Sequence, residues 1–139
     1  MKQPALLLSV IFVVLFAGCR KLAFYGDTFY TVRGKIVDAA NQPVANLPLV
    51  LYAVGAEFSL APPGGTRQVR QLSANGMTGA DGVFRLIFPK SNGQHALILE
   101  NYQVIDSLEG SLCATCVEVD IKAARDYLIE IAPIRVGLP

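Results

Sequence analysis

The chain has no tryptophan, one histidine and three cysteines in 139 residues. A lone histidine, His95, cannot supply the multi-histidine sets typical of catalytic zinc. Basic and acidic side chains nearly cancel, twelve against eleven for a formal net charge of +1. With no block or stripe of like charge, there is no field to hold a nucleic acid. Nucleophile elbows, phosphate-cradling glycine loops and helical metalloprotease motifs are missing, as are internal repeats. Beyond residue 19 no window of ten or more residues carries helical spacing of apolar side chains, which sets aside a helical architecture. No cofactor or metal is expected.

What is present begins with an apolar leader. Lys2 precedes an uncharged run from Ala5 to Ala17. Thirteen residues of helix reach about 20 Å, short of the roughly 30 Å hydrocarbon core, so the run is read as an export signal, not a permanent span. Its end, Phe16-Ala17-Gly18-Cys19, resembles the lipobox of bacterial lipoproteins, with Phe16 where the family usually has an aliphatic residue. The resemblance implies that Cys19 becomes the first mature residue and carries fatty acyl chains, two or three of which anchor firmly. Arg20 stands where an Asp would favour inner-membrane retention, so the outer membrane is the expected address. The alternative is an ordinary secretory signal followed by an incidental cysteine.

After the leader, the period is two. Val32, Gly34 and Ile36 share one side; Leu47, Leu49, Leu51 and Ala53 line another; Phe84, Leu86 and Phe88 oppose Arg85. Val117, Val119 and Ile121 alternate with Glu118, Asp120 and Lys122, the pattern of a strand with one wet face. Two further runs, around His95 to Glu100 and Asp126 to Val136, read as strands. Pro133 in the second removes a ladder donor and marks an edge or a bulge. Turn-rich stretches such as DAANQP, SANG, GADG and PKSNGQ separate the runs. The expected fold is all-β, a single antiparallel sandwich of about seven strands. The expected organisation is a signal peptide at 1–18, a lipidated tether at 19–30 and a sandwich domain at 31–139.

Gly34, Asp38, Pro43, Leu49, Leu51, Thr78, Asp81, Gly82 and Phe84 form a pattern that resembles the carboxypeptidase regulatory-like domain, an Ig-like, transthyretin-like (prealbumin-like) sandwich. Each position has a structural job in such a fold. Asp38 bonds amides of its own turn, Pro43 fixes φ after it, and Gly82 supplies a positive φ. The resemblance covers residues 31–88 and is nearly silent on activity. Transthyretin-like hydrolases need several histidines and a different C-terminal motif. Isopeptide-forming stalk domains need an Asn on the last strand; Lys35 is present, but 126–136 holds no Asn.

Few residues remain for chemistry. Cys113 and Cys116, in CATC, are read as a disulfide in an oxidising compartment, with a pair of half-buried thiols as the alternative. A strand follows them, whereas a thioredoxin-type thiolate needs a helix N-terminus. His95 is expected on the solvent side or bonded to its turn. Asp106 and Glu109 are read as a solvated loop rather than a calcium site. Two long connections run over residues 55–76 and 102–116; in the first, RQVRQLSA is read as another strand and the rest as a solvated turn, and the alternative is that the connections are binding loops, the first presenting Phe58, Arg67 and Arg70. Phe24, Tyr25, Phe29 and Tyr30 either fold back onto the domain or sit at the membrane interface. The expectation is a non-catalytic, membrane-anchored binding or scaffold module of the bacterial envelope, with an envelope protein or glycan as partner. The alternatives are a structural spacer or a thiol-disulfide protein.

Overall fold

The computed structural model describes residues 21–59, 65–105 and 115–137, with side chains at all of these except 58, 59, 65 and 66. Cys19, Cys113, Asp106 and Glu109 lie outside them. The described residues form nine strands: β1 (Phe24–Val37), β2 (Pro48–Ser59), β3 (Gly65–Met77), β4 (Val83–Ser91), β5 (Gln94–Leu99), β6 (Gln103–Val104), β7 (Cys116–Val119), β8 (Leu128–Glu130) and β9 (Ile134–Gly137). They form two sheets, β4-β1-β9-β6 with β8 also beside β1, and β3-β2-β5-β7. The described residues contain no α-helix.

Alternation decides which side chains meet between the sheets. Val32, Ile36, Leu49, Leu51, Phe88 and Leu97 are fully buried, joined by Phe84, Leu86, Leu99 and Val136. Each such burial contributes roughly 1.5–3 kcal/mol relative to exposure. Gly34 lets the sheet close on this core, since a Cβ there would meet the Phe84 ring at 2.7 Å.

One end of the sandwich is held by polar turns. The Asp38 carboxylate accepts from the amides of Ala40 and Gln42, both at 2.8 Å. Buried Thr78 donates its hydroxyl to the Val44 carbonyl at 2.6 Å and accepts from the Leu47 amide at 2.9 Å. Asp81 accepts from the Val83 amide, and Gly82 turns with φ +73°, where a Cβ would strike the Ile36 carbonyl oxygen.

The structure departs from the sequence reading in three places. The sheet is not wholly antiparallel, because β1 runs parallel to both β8 and β9. Thr31 faces Leu128 but Ile36 faces Ile134, one residue further on, so a bulge at 131–133 absorbs Pro133. The first strand begins at Phe24, not Thr31, and residues 24–30 therefore belong to the sheet instead of a tether. Phe24 to Tyr30 pair with Phe88 to Ser91 across an irregularity between Tyr25 and Phe29. The strand expected through Lys122 stops at Val119, where Asp120 accepts from the Lys122 amide at 2.8 Å and caps a short 3-10 turn. RQVRQLSA is a strand, as the sequence suggests: residues 65–77 form β3, so Arg67 and Arg70 lie opposite Glu57 and Val54 of β2, and Phe58 opposite Thr66.

Candidate functional site

The first candidate binding loop is thus a β-hairpin whose connection is confined to 60–64. Phe58, Arg67 and Arg70 sit on paired strands. Backbone pairing of 65–77 against 48–59 satisfies the groups a loop would leave to water. Cys116 opens β7, buried at 3% exposure and disulfide-bonded. The proposed pairing with Cys113 falls on a residue outside those described.

His95 is not on the solvent side. It occupies the inner face of β5 with Leu97 and Leu99, 1% exposed, its ring 4.8 Å from that of Phe88. Nε2 lies 3.2 Å from the Ser91 hydroxyl, which also accepts from the Gly93 amide. Nδ1 has no hydrogen-bond partner. Burial strips water from the ring and lowers its pKa from 6.5 to about 4, so it is neutral near pH 7. A cavity of about 300 Å³ adjoins it, bordered by Lys90, Gln94, Glu118, Asp120 and Lys122. Serine and histidine at this distance look like half of an acyl-transfer site, yet no carboxylate orients the free nitrogen and Ser91 is only 6% exposed. A base with pKa near 4 has little proton affinity to offer at neutral pH. The alternation of His95, Leu97 and Leu99 was the signal for this placement.

The larger groove, about 520 Å³, lies on the outer face of the first sheet. Thr31, Arg33, Arg85, Asp126, Tyr127 and Leu128 line it. Arg33 and Arg85 are direct cross-strand neighbours, with Cβ atoms about 5 Å apart, an arrangement that costs stability through like-charge repulsion. Among the described residues no ion pair joins either guanidinium to a carboxylate. Asp126 and Tyr127 turn the chain with φ of 48° and 63°, closed by reciprocal amide bonds between Arg125 and Leu128. A tyrosine in the left-handed region is rare. Here its ring reaches Tyr30 at 5.7 Å and stands 62% exposed beside the arginines. The sequence reading noted Arg33 and Arg85 only as the wet faces of two strands; what it lacked was their register.

Among the described residues no group of three His, Cys, Asp or Glu is placed to hold a metal ion, and no helix is long and apolar enough to cross a membrane.

No family model matches this chain, and no curated protein does either. Among solved structures it is similar to part of a 9R-lipoxygenase from Cyanothece PCC8801, at 10% identity and TM-score 0.49, over 94% of this chain and 20% of that one. It is also similar to a 3-chlorocatechol 1,2-dioxygenase from Rhodococcus opacus 1CP, at 16% identity and TM-score 0.39, over 88% and 68% of the two chains. The chain therefore spans about a fifth of the lipoxygenase. At these scores neither likeness carries an argument about activity.

Proposed function

We propose that this protein is a lipid-anchored, non-catalytic binding module of the bacterial envelope, tethered through Cys19 with the outer membrane as its address. The observation that supports this reading best is the shortness of the connection. Asn92, in the β4–β5 turn, donates its side-chain amide to the Lys21 carbonyl at 2.9 Å and accepts from the Ala23 amide at 2.8 Å. Lys21 is thus pinned to the sandwich two residues after the lipobox cysteine, a reach of at most about 7 Å. A module held so close to its anchor works at the bilayer surface.

The inward-facing, unassisted Ser91–His95 pair supports a binding role over a hydrolytic one. A structural bridge between Cys113 and Cys116 is part of the proposal, supported by the buried, disulfide-bonded state of Cys116. Intact-mass measurement of the membrane-purified protein tests the anchor, and in-cell crosslinking tests the binding role. An acylated chain beginning at Cys19 and crosslinked to an envelope component is expected. A retained leader or an unacylated N-terminus overturns the address, and absence of any crosslinked envelope component overturns the binding role.

A further inference from the structure

Four of the eight exposed large apolar side chains among the described residues, Phe29, Ile87, Tyr127 and Leu128, lie on the outer side of the first sheet. Strand alternation sends Phe29, Thr31, Arg33 and Lys35 of β1 outward, with Val83, Arg85, Ile87 and Pro89 of β4 and Leu128 of β8 in register beside them. Phe29 is 53%, Ile87 58%, Tyr127 62% and Leu128 37% exposed. On the second sheet the exposed apolar residues Leu72 and Met77 stand five positions apart on one strand. The outer face of the first sheet thus combines a cluster of bulky apolar tips with three cations, Arg33, Lys35 and Arg85, against Asp126 and Glu130. The unpaired Arg33–Arg85 couple faces the same way.

We propose that this face lies on an anionic phospholipid surface, with the Arg33–Arg85 couple holding headgroup phosphates and Phe29, Ile87, Tyr127 and Leu128 entering the interface. The inference rests on the lipid anchor of the proposed function. Three features select a bilayer as the occupant. The anchor attaches within about 7 Å of Lys21, which Asn92 holds at the β4–β5 turn linking the two sheets, so that end of the sandwich stays near lipid. Two adjacent guanidiniums complement phosphate, with its planar oxygen pairs, better than they do each other. Aromatic and aliphatic tips flanked by basic residues are the composition of interfacial segments.

The chain contains no tryptophan, so Ile87→Trp introduces a single reporter. The full-length acylated protein is reconstituted in phosphatidylethanolamine–phosphatidylglycerol vesicles carrying brominated acyl chains, with Leu72→Trp as the control on the other sheet. The expected result is blue-shifted, bromine-quenched emission for Ile87→Trp and solvent-like emission for Leu72→Trp. Adding Arg33→Gln and Arg85→Gln lowers the docked-to-undocked ratio about twenty-five-fold, at about fivefold per basic residue near an anionic surface. Salt near 1 M, where the Debye length is about 3 Å, acts in the same direction. Equal emission from the two reporters, with circular dichroism showing both variants folded, overturns the inference. So does a blue shift without bromine quenching that fades on dilution, which would mean a second copy covers the face. The mass of Cys19 is read on the same sample. An unacylated cysteine removes the proposed function and this inference together, whereas an acylated one with unquenched Ile87→Trp removes only the inference.

Discussion

The two ends of the sandwich bury polar side chains on opposite terms. At one, Thr78 is 2% exposed and both capacities of its hydroxyl are used, tying Val44 and Leu47 to the turn before β4. At the other, His95 is equally buried, but one ring nitrogen has no partner and the other leans on a single serine. A satisfied buried hydroxyl fixes the turn at every pH; a half-satisfied imidazole makes stability depend on its remaining neutral. The first end is built for rigidity and the second carries a conditional cost.

Thr78→Val breaks the contrast at its strongest point. It leaves a part-buried carbonyl and a buried amide without partners, and the expected loss is about 3 kcal/mol, read by chemical denaturation. Next comes the pH dependence of the His95 end. As pH falls through 6.5 the unfolded imidazole takes up a proton, while the folded one waits until about 4. Between those values the unfolded state binds more protons, so stability falls. The contribution is complete above pH 6.5 and is lost by pH 4, up to about 3 kcal/mol. His95→Leu should flatten that part of the stability profile, and an unchanged slope would remove the imidazole as its cause. Asp38→Ala gives up two amide bonds in a more exposed turn and should cost about 1–2 kcal/mol in thermal unfolding. Tyr127→Gly is the smallest effect. Relief of a left-handed tyrosine and loss of its contact with Tyr30 offset each other, leaving a change under about 1 kcal/mol in the same melt.

The same contrast separates what could be read from the sequence. The well-satisfied end was legible because its signals are local: Asp38 bonds amides two and four residues away, and Gly82 turns just before Phe84. Phe84, Leu86 and Phe88 announced their face by strict alternation. His95 obeyed the same period, but its polarity argued for solvent and hid the placement. Residues 24–30 were not legible as a strand, although folding back of their aromatics was one reading, because Gly26 and Asp27, at an irregular stretch of β1, interrupt the alternation. RQVRQLSA was legible as a strand, but the proline and glycine cluster before it hid how far the pairing extends, up to Ser59 and again from Gly65. Most of the outer-face groove was illegible for a different reason. Arg33 and Arg85 are far apart in sequence, and only the register of β1 against β4 and β8 brings them together with Leu128.

That register also governs when the molecule can become itself. The opening strand takes the closing ones as parallel neighbours, so its free edge stays uncovered until residues near 134 have been made and delivered. Pairings this distant in sequence form slowly. The architecture therefore locks only after the far end of the chain has arrived.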